Sequence, residues 1–127
     1  MTPLEHFTAS YLAAALWSSS DENGTPLEVN YSTDDIDSEI LEWMRTECAR
    51  FYNENRDDIE CDGAPNANDG SGIAGMAGHD FWLTRNGHGA GFWDGDWPEP
   101  HASRLTDAAG AMGEVDLYVG DDGRLYA

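Results

Sequence analysis

The chain has 127 residues, one domain's worth, and 40% of them are hydrophobic, including five tryptophans, which excludes a disordered chain. Twenty-five acidic residues stand against six arginines and no lysine, giving a formal net charge of −19. That balance disfavours direct binding to nucleic acid or anionic lipid, because both depend on cationic side chains.

Residues Pro3 to Ser18 read as a helix. Leu4, Phe7, Tyr11, Ala14 and Ala15 fall at helical spacing, and Leu12 and Leu16 widen the stripe. Thr2 is placed as the N-cap, with Pro3 at the first helical position, where its missing N–H is harmless. The polar run from Ser18 to Gly24 breaks this helix, and a loop carries the chain past Pro26 to Tyr31. Ser32 or Thr33 is expected to cap a second helix reaching about Asn55, with Asp34, Asp35 and Asp37 crowding its positive end. Ile36, Ile40, Trp43, Met44, Cys48 and Phe51 would form its apolar face. From Asp34 to Asp62 eleven acids meet three arginines, the densest acidic stretch of the sequence.

The Gly-, Asn- and Asp-rich run from Asp62 to Gly78 has no periodicity and reads as a flexible linker. It lacks the lysine of a phosphate-cradling loop. The following stretch, His79 to Asp94, reads as a β-hairpin around Asn86-Gly87, the pair that a tight type I′ turn demands. Phe81, Leu83, Ala90 and Phe92 would share one face, Trp82 and Trp93 the other. His101 to Met112 is expected to be a third helix ended by Gly113. Val115, Leu117 and Val119 then alternate with polar residues, Asp122-Gly123 supplies a turn, and the chain returns to Ala127 as a last strand, with Val119 and Leu125 facing the core. The expected architecture is one α+β domain over residues 1–127: two N-terminal helices, then strand-strand-helix-strand-strand forming a mainly antiparallel sheet with helices packed on it.

Cys48 and Cys61 make neither a CxxC pair nor a zinc ligand set, and free thiols are expected. No Ser–His–Asp elbow, HExxH pattern or complete calcium loop occurs, so no catalytic residue and no cofactor is assigned. In the hairpin register His79 and His88 would lie about 20 Å apart, too far for one metal. A smaller cluster of His79, Asp94, Asp96 and His101 stands as the alternative, a small metal-dependent hydrolase. No run is long enough to span a bilayer, and the start lacks the basic region of a signal peptide.

The hairpin stretch GHDFWLTRNGHGAGFWD, followed by GEVDLYVGDDGRLY, resembles a family of small uncharacterised proteins encoded by bacteriophages and prophages. The N-terminal ALWSSSDENGTPLEVNYSTDDI is similar to the start of the same family. The resemblance implies a phage or mobile-element origin and a location in the host cytoplasm, and it carries over no catalytic residues. Charge and resemblance together lead to the expectation of a non-enzymatic acidic binding protein. Its partner would be a basic or nucleic-acid-binding host protein, with the acids standing in for phosphates as a nucleic-acid-mimicking inhibitor of a host or defence protein. The candidate partner-binding residues are Asp34, Asp35, Glu39, Glu42, Glu47, Glu54, Asp57, Asp58, Trp82 and Trp93. A structural phage protein contacting another subunit through its tryptophans is a third reading, and solubility or salt adaptation would also account for the charge.

Overall fold

The first helix, α1 (Pro3–Ser18), starts as its sequence dictates. The Thr2 hydroxyl accepts from the Glu5 backbone at 3.1 Å, and the Glu5 carboxylate accepts from the Thr2 N–H at 2.9 Å, closing a reciprocal capping box ahead of Pro3. Its apolar residues bury on several sides, at Phe7, Tyr11, Leu12, Ala14, Ala15 and Leu16. This computed structural model describes all residues from Met1 to Ala127.

The second long helix begins later than its serine and threonine suggest. Ser32 caps only a short 3-10 turn, Thr33–Asp35, and Ile36 is extended and buried. Asp37 then caps α2 (Ser38–Glu54), its carboxylate accepting from Glu39 and Ile40. The acidic run thus satisfies two successive sets of free helix-start N–H groups. Asn55 interrupts, and a single turn, α3 (Arg56–Ile59), follows. Trp43 does not join the apolar face; it is exposed, while Met44, Cys48, Phe51 and Tyr52 are buried.

The expected hairpin is not there. Residues Gly72–Arg85 form a helix, α4, so the glycine-rich linker ends at Ser71 and the first hairpin strand is helical. Two physical signals explain this. Ala74, Ala77 and Phe81 recur at helical spacing, as do Gly75, Gly78, Trp82 and Arg85, and all are buried. Asn86-Gly87 serves as a helix stop. Gly87 takes φ +68°, its N–H bonds the Thr84 carbonyl at 3.2 Å, and the His88 N–H bonds Leu83 at 3.0 Å, the paired closure of a Schellman ending. A glycine with positive φ is what both a hairpin turn and a helix stop require.

After α4 the chain runs irregularly through Phe92 and Trp97, both buried, into α5 (His101–Ala111), which ends at Gly113 with φ +81° as its sequence indicates. Val115 and Leu117 are buried without forming a ladder. The sheet consists of β1 (Tyr118–Val119) and β2 (Leu125–Tyr126), antiparallel, with Val119 opposite Leu125 and the turn at Gly120–Gly123. Leu125 is fully buried and Val119 only partly. The protein is therefore a mainly helical fold with a two-stranded hairpin appended, in place of an α+β sheet with helices packed on it. Its centre is aromatic. Phe81 of α4 stacks on Phe51 of α2 at 4.0 Å between ring centroids, and Phe7, Tyr11, Tyr52, Trp82 and Phe92 close around the pair.

Candidate functional site

Helix α4 assigns nearly every residue of GHDFWLTRN a packing or hydrogen-bonding role. Gly78 lies against the Phe7 backbone, where a Cβ would overlap the carbonyl oxygen. The Trp82 indole N–H donates to Ser18 at 2.7 Å, and the Thr84 hydroxyl accepts from the Phe92 N–H at 3.0 Å. Arg85, 3% exposed, donates to Glu47, to the Tyr11 hydroxyl and to the carbonyls of Met112 and Gly113. Asn86 donates to the Trp82 carbonyl and accepts from the Val115 N–H.

One pair reaches solvent through its histidine. Asp80 is buried and accepts from the Trp97 indole at 2.7 Å, while its other oxygen lies 3.0 Å from His79 Nδ1. His79 is half-buried, and its ring stacks on the exposed Trp17 at 6.1 Å. The hydrogen bond to Asp80 raises the His79 pKa above its ordinary 6.5, burial opposes, and the charges of Asp80 and Asp94 add to the rise. A histidine whose pKa is higher folded than unfolded stabilises the fold below its unfolded value, and the contribution disappears as pH climbs through the folded value. The melting temperature of wild type over a His79→Gln variant should therefore be highest below pH 6.5 and converge above the raised value. A difference that grows with pH would contradict the pairing.

No protein-family model, curated protein or solved structure matches this chain. The site must accordingly be read from its geometry. Of the acids expected to contact a partner, Glu47 turns inward to Arg85 at 3.2 Å. Asp58 is held by His101 and Arg104, both at 2.7 Å, and the Arg104 bond lowers its pKa. Asp35 caps Ser32, and Glu54 lies 3.5 Å from Arg50. The carboxylates of Asp34, Glu39, Glu42 and Asp57 are exposed and accept no hydrogen bond within the protein, but Arg45, Arg50 and Arg56 lie on α2 and α3 with the last three. That surface is a mixture of signs and does not present an unbroken row of negative charges.

Trp82 needs correcting as a contact residue, because it is 1% exposed and committed to Ser18. Trp93 is 53% exposed and available. The four residues of the metal alternative do not converge. His101 bonds Asp58, His79 bonds Asp80, and Asp94 accepts from the Gly91 N–H. No group of three or more His, Cys, Asp or Glu side chains is placed to hold a metal ion. Cys48 and Cys61 are both free, and burial raises the pKa of each thiol.

Sequence reasoning missed the acids that lie where arginine is scarce. From Asp94 to Asp122 the only cation among the Arg and Lys positions is Arg104, which Asp58 engages. Glu114, Asp116 and Asp121 are exposed and accept no hydrogen bond within the protein. Asp116 and Asp121 line a cleft of about 560 Å³ with Asp21, Glu22, Tyr31 and Tyr118. The partition was present in the sequence as the spacing of the six arginines, three of which fall between Arg45 and Arg56. No helix is long and apolar enough to cross a membrane.

Proposed function

We propose that the protein acts by binding, as an acidic protein whose partner presents a basic surface. One observation carries this reading: three of the six arginines are already paired with carboxylates and two more bond neutral groups of the protein, while many carboxylates engage nothing. Arg85 and Arg104 are ion-paired, Arg50 meets Glu54, Arg56 donates to Asn53, and Arg124 donates to the Ile36 carbonyl. Glu22, Glu28, Glu114, Asp116 and Asp121 remain exposed without a partner. An uncompensated field of one sign accelerates encounter with surfaces of the opposite sign and rejects like-charged ones. The working surface is then the arginine-poor part formed by the loop around Glu22 and the chain from Asp94 to Asp122, in place of the mixed face of α2. The phage-protein resemblance suits a partner such as a host or defence protein whose nucleic-acid-binding surface is basic.

The experiment is capture at 150 mM salt. Immobilised protein exposed to bacterial lysate is expected to retain basic proteins that leave at 0.5 M salt, since screening shortens the field's reach to a few ångströms. A retained set no more basic than that held by an unrelated protein of equal charge density would contradict the proposal. The His79–Asp80 pair favours a second reading, a proton-transfer site. Against it, Asp80 is buried and its second oxygen is committed to the Trp97 indole.

A further inference from the structure

Beside α5 lies a cleft of about 310 Å³ whose lining combines tryptophan rings and carboxylates with no arginine or histidine. Trp93 and Trp97 line it with the carboxylates Glu99 and Asp107 and the hydroxyls Ser103 and Thr106. Trp93 is exposed yet placed. Its turn is closed by the Gly91 N–H on the Asp94 carboxylate and the Asp94 N–H on the Gly91 carbonyl, both at 3.3 Å. The indole nitrogen approaches Gly91 so closely that a Cβ there would sit 3.3 Å away. Trp97 is fixed by its bond to the buried Asp80.

The polar groups of the cleft divide sharply. Ser103 donates to Glu99, whose carboxyl is held below its ordinary range by that bond and so stays an anion. Thr106 donates back to the Ala102 carbonyl at 2.7 Å. Asp107 accepts nothing from the protein and is exposed on the same helix.

We propose that this cleft accepts one arginine side chain from the basic partner, its guanidinium stacked on Trp93 and bonded to Asp107. The inference rests on the binding reading above. Charge complementarity selects the occupant: two carboxylates and a half-exposed indole in a lining without arginine or histidine. Planar guanidinium is the cation that both stacks on an indole and pairs with a carboxylate, whereas an ammonium is a compact, strongly hydrated charge. The volume lies at the lower end of ligand pockets, roughly 300–1,000 Å³, which suits one side chain and not a helix.

The test uses the full chain, labelled with ¹⁵N and titrated with a blocked Gly-Ser-Arg-Ser-Gly peptide, its lysine and citrulline counterparts, and nona-arginine. The arginine peptide is expected to shift the Trp93 indole N–H signal saturably and to bind more tightly than the lysine or citrulline peptide. Trp93→Ala and Asp107→Asn should each weaken it about fivefold, Trp93→Phe should retain most of the affinity, and a Glu39→Gln/Glu42→Gln variant should change it less than about twofold. Trp93 and Asp107 are exposed, so these variants should melt as wild type does. The arginine peptide bound equally by wild type, Trp93→Ala and Asp107→Asn, or equal affinity for the lysine peptide, with nona-arginine still bound, would overturn the arginine cleft and leave the binding reading standing. Failure of wild type to bind nona-arginine at 50 mM salt would overturn both.

Discussion

Replacing Arg85 by alanine is expected to cost the fold about 3–5 kcal/mol, measured as the loss in unfolding free energy in urea. The side chain is 1% exposed and reaches three helices. It donates from Nε to the Gly113 carbonyl at 2.8 Å, to the Tyr11 hydroxyl of α1 at 3.2 Å, to Glu47 of α2 at 3.2 Å and to the Met112 carbonyl at 2.9 Å. Its guanidinium also lies over the Phe81 ring at 5.1 Å. Truncation strands a mostly covered carboxylate and two carbonyls at the end of α5, and each buried group left unpaired costs about 1–3 kcal/mol. Arg85→Lys should recover only a part, because one ammonium cannot reproduce the planar fork. A loss below about 1 kcal/mol for the alanine variant would show that the arginine is dispensable to the packing of α1, α2 and α4.

Gly78→Ala is expected to be at least as damaging as an overpacked core substitution, about 3 kcal/mol or an outright failure to fold. The new methyl would overlap the Phe7 carbonyl oxygen and lie 2.8 Å from the carbonyl carbon, both in the backbone of α1, which cannot rotate aside. Gly75→Ala provides the contrast on the same helix. Its methyl would overlap the Ser71 side chain just before α4 and lie 3.1 Å from the Ser10 hydroxyl, side chains in place of the backbone that Gly78 meets, and a helix gains up to about 1 kcal/mol from glycine to alanine. The first substitution should therefore exceed the second by more than about 1 kcal/mol in chemical denaturation. Equal costs would mean that α1 and α4 do not approach as closely as Gly78 requires.

The same residues explain what could be read in advance. The start of α1 follows from Thr2, Pro3 and Glu5, and the end of α5 from Gly113, because capping is local chemistry. The turn at Asp122-Gly123 was legible for the same reason. Helix α4 was not, because Asn86-Gly87 carries one requirement, a positive φ, that two structures satisfy equally. Flanking aromatics then suggested alternation where the small residues Gly75 and Gly78 were recording a close helix contact. Trp82 and Trp93 read alike as contact residues, and only the fold separates them, since burial depends on which helix lies opposite. Nothing local marks Asp80 as buried, because its partner Trp97 lies seventeen residues away. The acidic run on α2 misled in a similar way. Sequence density counts charges, whereas surface potential depends on which charges are cancelled by neighbours from elsewhere in the chain, as Glu47 is by Arg85 and Asp58 by Arg104.

Two triple variants of equal charge change test most directly whether the arginine-poor surface does the work. One is Glu114→Gln/Asp116→Asn/Asp121→Asn, the other Glu39→Gln/Glu42→Gln/Asp57→Asn, and all six residues are exposed with carboxylates that accept no internal hydrogen bond. Retention of the captured basic proteins at 150 mM salt should fall sharply in the first and little in the second. Equal retention by both, at the wild-type level, would contradict the account and leave the charge as a means of staying in solution.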